Sequence, residues 1–434
     1  MTLSGHLLRR LVLMIGGEAM QSGFHFALNI ALLRVLSAQE YGIFAIAMVM
    51  GGVGLAYIRS LTAVPAIIWM GKSTNRAGVD AHDVTFGTAA LVVAFVMAAA
   101  TALLMRLWGD PGGIAAGCFV GAWSLRSHMR TAFFARRLQK TVSISDLAFT
   151  LSGAALTALA IWKAPNVLET VFDALAVANV LGIAVLVYLA KHTVRVSFRA
   201  PTRRRYARLW RQLRWSGFSA TTTTIQGQSM ALLVASIAGP AAYAPIAAVL
   251  VLFAPLRIVS IAFVNMTQPD LAKLMANNEV AKVWKQAKIW AVVMGLCSLV
   301  YGFGVLFILP MIRPQALQDA SVTFIGLFAI ANYVPVMLYI MPRVILEILG
   351  DFRLIAIITT AAAIVGLILI AILLGIASPP WSLAGAATSE MVVLVATWYF
   401  ARRQMRARER PDQLHHAPSL SWPREQTSLA TKKR

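Results

Sequence analysis

Charge is scarce in this chain of 434 residues: only 13% are Asp, Glu, Lys or Arg, and the 17 acids are outnumbered by 39 bases. With 59% hydrophobic residues and a mean hydropathy of +0.72, the composition excludes a soluble globular protein of this length and specifies an integral membrane protein. Cysteine is almost absent. Cys118 and Cys297 each lie inside an apolar run, without C-x-x-C or any metal-ligand spacing, so they read as packing residues and no metal site is expected. Near the N-terminus there is no small-residue cleavage site, and the first hydrophobic run is too long and too polar for a signal peptide; it reads as a first span. Long polar insertions are missing too. The outer connections are as short as "SAQEYG", "GDPGG", "APNV" and "ASPP", which leaves no external domain for a catalytic site and weighs against a polysaccharide polymerase or membrane glycosyltransferase.

What the chain does have is hydrophobic runs long enough to cross a bilayer. A helix rising about 1.5 Å per residue spans a hydrocarbon core of about 30 Å in about 20 residues. Twelve runs qualify, near 11–36, 43–70, 86–107, 113–135, 145–163, 168–190, 216–239, 244–269, 289–309, 322–342, 354–375 and 381–402. The expected fold is all-α, about 12 transmembrane helices. With both termini inside, 33 of the 39 Lys and Arg fall in inner segments, among them a group from Arg126 to Lys140, nine between Lys191 and Arg214, and nine from Arg402 onward. Only Arg34, Arg106, Lys163 and Arg313 lie on outer flanks, while Arg59 and Arg257 lie within spans. This asymmetry places both termini in the cytoplasm and accounts for the net charge of +22 without a nucleic-acid partner. The stretch "RAPTRRRYARLWRQLRW" reads as a solvated or headgroup-facing linker. The tail from about Arg410 is polar and Pro-containing, and reads as disordered, with His415 and His416 solvated.

The basic linker divides the spans six and six, which gives an N-terminal lobe over 1–190, a linker over 191–215, a C-terminal lobe over 216–402 and a tail over 403–434. Each half starts inside, so a repeat would be parallel, about a pseudo-twofold axis along the membrane normal. The hairpins "SAQEYGIFAIAMVMGGVGLAYIRS" and "AGPAAYAPIAAVLVLFAPLRIVS" support one: each has a tyrosine near its turn, Tyr41 or Tyr243, and ends on A-x-x-R, at Arg59 or Arg257. An arginine near the bilayer centre costs between roughly 3 and 17 kcal/mol, so something must compensate for it. Polar residues recur at helical spacing in the opening helix of each half. Glu18, Ser22, His25 and Asn29, with Gln21 beside them, share one face of the first span; Thr221, Thr224 and Gln228 share one in the seventh, with Gln226 nearby. Such stripes face protein or water, as buried helix interfaces or as the walls of a hydrated cavity. His25 is open to the further reading of a satisfied buried imidazole, Arg59 to snorkelling, and Arg257 to an ion pair with Glu18 or Glu390.

Enzymatic motifs are missing. "GKST" at Gly71 to Thr74 resembles the end of a phosphate-binding loop, but Ala66 stands where the earlier glycine belongs and a membrane helix precedes it in place of a strand. No Ser/His/Asp or HExxH arrangement is present, so neither an enzyme nor a cofactor is expected.

The segment "LLRVLSAQEYGIFAIAMVM", Leu32 to Met50, resembles the A-R-x-L-G-P-x-x-Y-G-x-[FY]-A signature of bacterial polysaccharide repeat-unit flippases, O-antigen flippases included, in the multidrug/oligosaccharidyl-lipid/polysaccharide exporter superfamily. "RTAFFARRLQKTVSISDLAF" is similar to their basic fourth-to-fifth connection. Departures are Ser37 and Gln39, where the signature has Gly and Pro, and Val35 in the run before. The resemblance implies two six-helix lobes around a central cavity in a bacterial inner membrane. It also implies translocation of a polyprenyl-diphosphate-linked oligosaccharide to the outer leaflet by alternating access, beside a polysaccharide polymerase or glycosyltransferases. By position, Arg59 and Arg257 would engage the diphosphate, the two polar stripes would bind sugar hydroxyls, and Glu18 or Glu390 would take a coupling ion. Two other functions remain open: a cation-coupled exporter of small drugs or metabolites, and a non-transporting membrane scaffold.

Overall fold

The protein is described by a computed structural model covering residues 5–73, 75–109, 112–136, 138–191, 196–309 and 322–409. The tail with His415 and His416, and the outer turn with Arg313, lie outside the described residues. Among those described, the regular structure is helical. In chain order the helices are α1 (Gly5–Val35), α2 (Ala38–Ile58), α3 (Val64–Lys72), α4 (Arg76–Leu107), α5 (Gly113–Ala135), α6 (Gln139–Lys163) and α7 (Val167–Ala190). They continue as α8 (Ala200–Ala238), α9 (Pro240–Leu252), α10 (Ala254–Ala276), α11 (Val280–Ile308), α12 (Val322–Ile348), α13 (Phe352–Ile376) and α14 (Ser382–Glu409). Among the described residues, eight helical stretches are long and apolar enough to cross a membrane, counting α2 to α3 as one. Their outward faces carry Phe95, Leu103, Trp162, Val300, Phe307 and Ile376, all exposed. So broad an apolar surface is lipid-facing in a chain of this hydropathy. Cys118 and Cys297, expected as packing residues, are exposed on this surface.

The packing order is the same in both halves. In the first, α1 lies on α6, α4 on α5, α5 on α7 and α2, and α6 on α7; in the second, α8 lies on α13, α11 on α12, α12 on α14 and on α9 with α10, and α13 on α14. Two six-helix lobes result, with α2 to α3 and α9 to α10 each counting as one broken span, the arrangement of a pseudo-twofold axis along the membrane normal. Between lobes, α2 packs on α9 and α8. The outer contact is backbone-close: a Cβ at Gly42 would lie 2.0 Å from the Pro240 carbonyl oxygen, so only glycine fits there. Beside it the Ala241 N–H donates to Gln39 Oε1 at 3.2 Å. The start of α2 is set by "SAQE", in which Ser37 Oγ accepts from the Glu40 N–H and Glu40 Oε2 accepts from the Ser37 N–H, a capping box.

One boundary differs from the sequence expectation. Most of the linker is helix: Ala200 to Arg214 runs without a break into α8, whose Tyr206, Leu209 and Leu213 pack on Ala66, Met70 and Phe86 of α3 and α4. Helix α5 has the bounds of the expected span 113–135; Arg126 and Arg130, counted with the inner segments, lie inside it, and Arg126 is only 2% exposed. The apolar neighbours of "SLRSHMRTAFF" continue the helix through them, and one buried carboxylate, Asp146, pairs with both.

Candidate functional site

The second span breaks at its arginine. Arg59–Ala63 forms a π-helical turn, closed by the Val64 N–H donating to the Arg59 carbonyl. Pro65 supplies the cause, since it has no N–H for the carbonyl of Leu61 and its ring crowds that position. The displaced carbonyls find hydroxyl donors instead. Tyr206 Oη donates to Leu61 O at 3.3 Å and Ser216 Oγ to Ser60 O at 3.1 Å, both from α8. Thr62 Oγ1 donates to Ile58 O at 2.7 Å and lies 3.0 Å from His128 Nδ1. Arg59 itself is exposed and has no carboxylate partner among the described residues. An uncompensated guanidinium on a span, beside a turn of a kind that concentrates at functional positions, is what an anionic ligand would engage.

The equivalent span of the second lobe breaks as well. Phe253 separates α9 from α10, Pro255 follows, and Tyr301 Oη donates to the Leu252 carbonyl at 2.7 Å. Arg257 belongs to the first turn of α10; its side chain, like those of Glu18 and Asn265, lies outside the described structure.

The α1 stripe is held largely within its own lobe. Asn29 Nδ2 donates to His25 O at 2.7 Å, and Asn29 Oδ1 accepts from Tyr41 Oη at 3.4 Å. The His25 ring lies 5.2 Å from that of Trp123 and 5.9 Å from that of Phe149, and neither ring nitrogen has a hydrogen-bond partner among the described residues. Ser22 is half-buried. Gln21 Oε1 accepts from Arg126 at 3.1 Å, and Arg126 and Arg130 both pair with Asp146, at 2.7 and 3.0 Å. The cluster is tightly fitted. A Cβ at Gly17 would come within 2.5 Å of Asp146 Oδ2, and one at Gly182 within 2.8 Å of Arg126 Nε. The Arg126 guanidinium also lies 4.0 Å over the Phe149 ring. Periodicity singled out Gln21 but missed the pairing of α5 with α6, because twenty residues separate Arg126 from Asp146; the one available signal was an acid opening an otherwise apolar helix.

The α8 stripe divides between lobes. Thr221 Oγ1 donates to Gly217 O at 2.9 Å, so at 2.9 Å it accepts from Tyr57 Oη of α2, across the lobe boundary. Gln228 approaches Gly52 of α2, while Thr224 is half-buried. Gln226 turns the other way, donating to both Glu390 oxygens at 3.4 Å; Tyr339 Oη donates to Glu390 Oε2 at 2.9 Å. The hydrogen-bond partners described for Glu390 are thus hydroxyl and amide groups, with the charge of Arg343 nearby.

The two-lobed helical fold is shared with solved transporters. A multidrug resistance MATE family transporter of the MOP superfamily, in its inward-facing conformation, matches with a TM-score of 0.72 at 12% identity, over 89% of this chain and 95% of that one. The fold is that of the MATE and MurJ transporters. The lipid II flippase MurJ, in an inward closed conformation, matches at a TM-score of 0.65 and 10% identity, over 92% of this chain and 90% of that one. The eukaryotic MATE transporter AtDTX14 matches at 0.62 and 15%, over 93% and 98%. No protein-family model matches the sequence, and no curated protein does.

Proposed function

We propose that the protein is a flippase for a polyprenyl-diphosphate-linked oligosaccharide repeat unit, working by alternating access in a bacterial inner membrane with both termini cytoplasmic. Residues 1–190 and 216–402 are the rocking lobes, 191–215 their basic connection and 403–434 a basic tail. The observation that carries this reading is Arg59, exposed at the π turn of a membrane span without a carboxylate partner among the described residues. A guanidinium holds phosphate oxygens bidentately and stays charged at any relevant pH. Arg257, at the break of the equivalent span, is the second cation; Ser22, His25, Asn29, Thr221, Thr224 and Gln228 serve the sugar. Similarity to a lipid II flippase supports a lipid-linked substrate. The shape supports a state open toward the cytoplasm: the TM-score is 0.72 to the inward-facing MATE transporter and 0.56 to the outward-facing one. Two negative charges moving outward against 100 mV, inside negative, gain on the order of 4 to 5 kcal/mol, so the potential can drive export.

A second reading, a cation-coupled exporter of small molecules, is favoured by the similarity to MATE transporters and by Glu390, a carboxylate on α14 whose described hydrogen-bond donors are neutral. Glu18 is the alternative coupling acid. Binding separates the two readings. Polyprenyl diphosphate titrated into wild-type protein and into Arg59→Gln and Arg257→Gln should bind roughly tenfold or more weakly to each variant, as expected for a lost charge-assisted pair. Equal binding by all three would remove the arginines from the account.

A further inference from the structure

We infer that a groove on the outer face of the second lobe is a binding site for an anionic glycerophospholipid. It lies between α11 and α14 over a floor formed by α12, encloses about 560 Å³, and is lined by Lys288, Val292, Leu338, Val395 and Trp398 among others. Its wall is apolar apart from Lys288. Small residues make the depression: on α11, Ala291 is buried and a Cβ at Gly295 would come within 2.6 Å of Leu338, so that helix lies close on α12. Val292 and Val395, at 56% and 64% exposure, form the rims.

One end of the groove is built differently from the rest. Trp398 Nε1 donates to the Leu338 carbonyl at 3.2 Å, which fixes its ring, and the Trp284 ring meets it edge-on at 5.3 Å. Lys288 Nζ lies 5.5 Å over Trp284. Lys285 precedes Lys288 by three residues on α11, and Arg402 stands one helical turn beyond Trp398 on α14. All three cations are exposed, and none has a carboxylate partner among the described residues. This is the end at which α11 begins and α14 ends, the basic end of the bundle.

The groove therefore asks for a ligand with an acyl chain and a negative head at one end of it. Tryptophans at the level where chain meets head suit the interface of a bilayer. Lys288 gives a phosphate its charge partner, with Lys285 and Arg402 adding to the field, while nothing described there accepts a hydrogen bond from an ammonium group. Charge complementarity favours phosphatidylglycerol over the zwitterionic phosphatidylethanolamine. The site is independent of the substrate assigned above, since it lies on the lipid-facing surface, away from the lobe boundary.

Native mass spectrometry of full-length protein, delipidated and then offered equal phosphatidylglycerol and phosphatidylethanolamine, tests this. Wild type should retain one phosphatidylglycerol in preference. Lys288→Gln should bind it roughly fivefold more weakly, as expected for one interfacial cation. Val395→Trp, which fills the groove at an exposed position and keeps every charge, should lose it, whereas Lys282→Gln, outside the lining, should retain it. Thermal unfolding of each variant checks its fold. Equal retention of the two lipids, retention unchanged by Lys288→Gln or Val395→Trp, or displacement of the phospholipid by polyprenyl phosphate would overturn the proposal.

Discussion

Asp146 holds two arginines inside the first lobe, and it does so at 1% side-chain exposure. Removing one partner of a buried pair leaves an uncompensated charge, which destabilises by roughly 3–5 kcal/mol. Asp146→Ala should therefore lower the unfolding temperature in detergent sharply, and Asp146→Glu should fail to restore it because Gly17 leaves no room for a longer side chain. An unfolding temperature within a degree or two of wild type would show that the cluster is not a structural anchor. Arg59 is the opposite case. It is exposed at the π turn and carries no comparable packing, so its replacement should leave stability nearly unchanged while weakening diphosphate binding. Residue type and period make the polar stripes legible in sequence, because i, i+3 and i+7 place Ser22, His25 and Asn29 on one helix face. Which neighbour that face meets is not encoded locally. Arg126 and Asp146 are brought together only when α5 and α6 pack against α1.

The helices that matter most are the broken ones. Pro65 and Pro255 are visible in the sequence, but a π turn has no residue pattern of its own: it is fixed by the hydroxyls that come to the released carbonyls, and Tyr206 and Ser216 do so from 145 and 156 residues away. The same distance hid the packing of the linker, whose arginines suggest a solvated or headgroup-facing segment until Tyr206, Leu209 and Leu213 are seen packed on α3 and α4. Tyr206→Phe keeps that packing and removes the hydrogen bond, a loss of about 1 kcal/mol. It should speed amide hydrogen exchange around Leu61 to Pro65 about fivefold, with exchange in α12 unchanged as the control. Unaltered exchange would mean that α8 does not hold the turn. At the outer end, Gly42→Val would drive a side chain into the Pro240 carbonyl, which no rotamer relieves. Spin labels at Gln39 and Ala241 should then report a longer and broader separation than in the wild-type background; an unchanged distance would show that the α2 and α9 contact is not the outer closure.

At the scale of the molecule, hydropathy and the distribution of Lys and Arg announce a membrane protein with twelve crossings, and the two lobes follow from the six-and-six division. Lobe contact and conformation are not in those patterns, since they depend on backbone approach at Gly42 and on side chains that meet across the boundary, such as Tyr57 and Thr221. The account joins an arginine at each broken span, exposed in the case of Arg59, to a lipid-borne diphosphate, moved between leaflets by rocking lobes. Its central claim is tested by reconstituting the full chain into liposomes that contain a fluorescent polyprenyl-diphosphate oligosaccharide in one leaflet, and following protection from a membrane-impermeant quencher. The predicted result is protein-dependent flipping, faster with the lipid on the inside-negative side and lost in the Arg59→Gln, Arg257→Gln double variant. Vesicles that export a cationic drug while leaving the lipid-linked oligosaccharide in its original leaflet would contradict it.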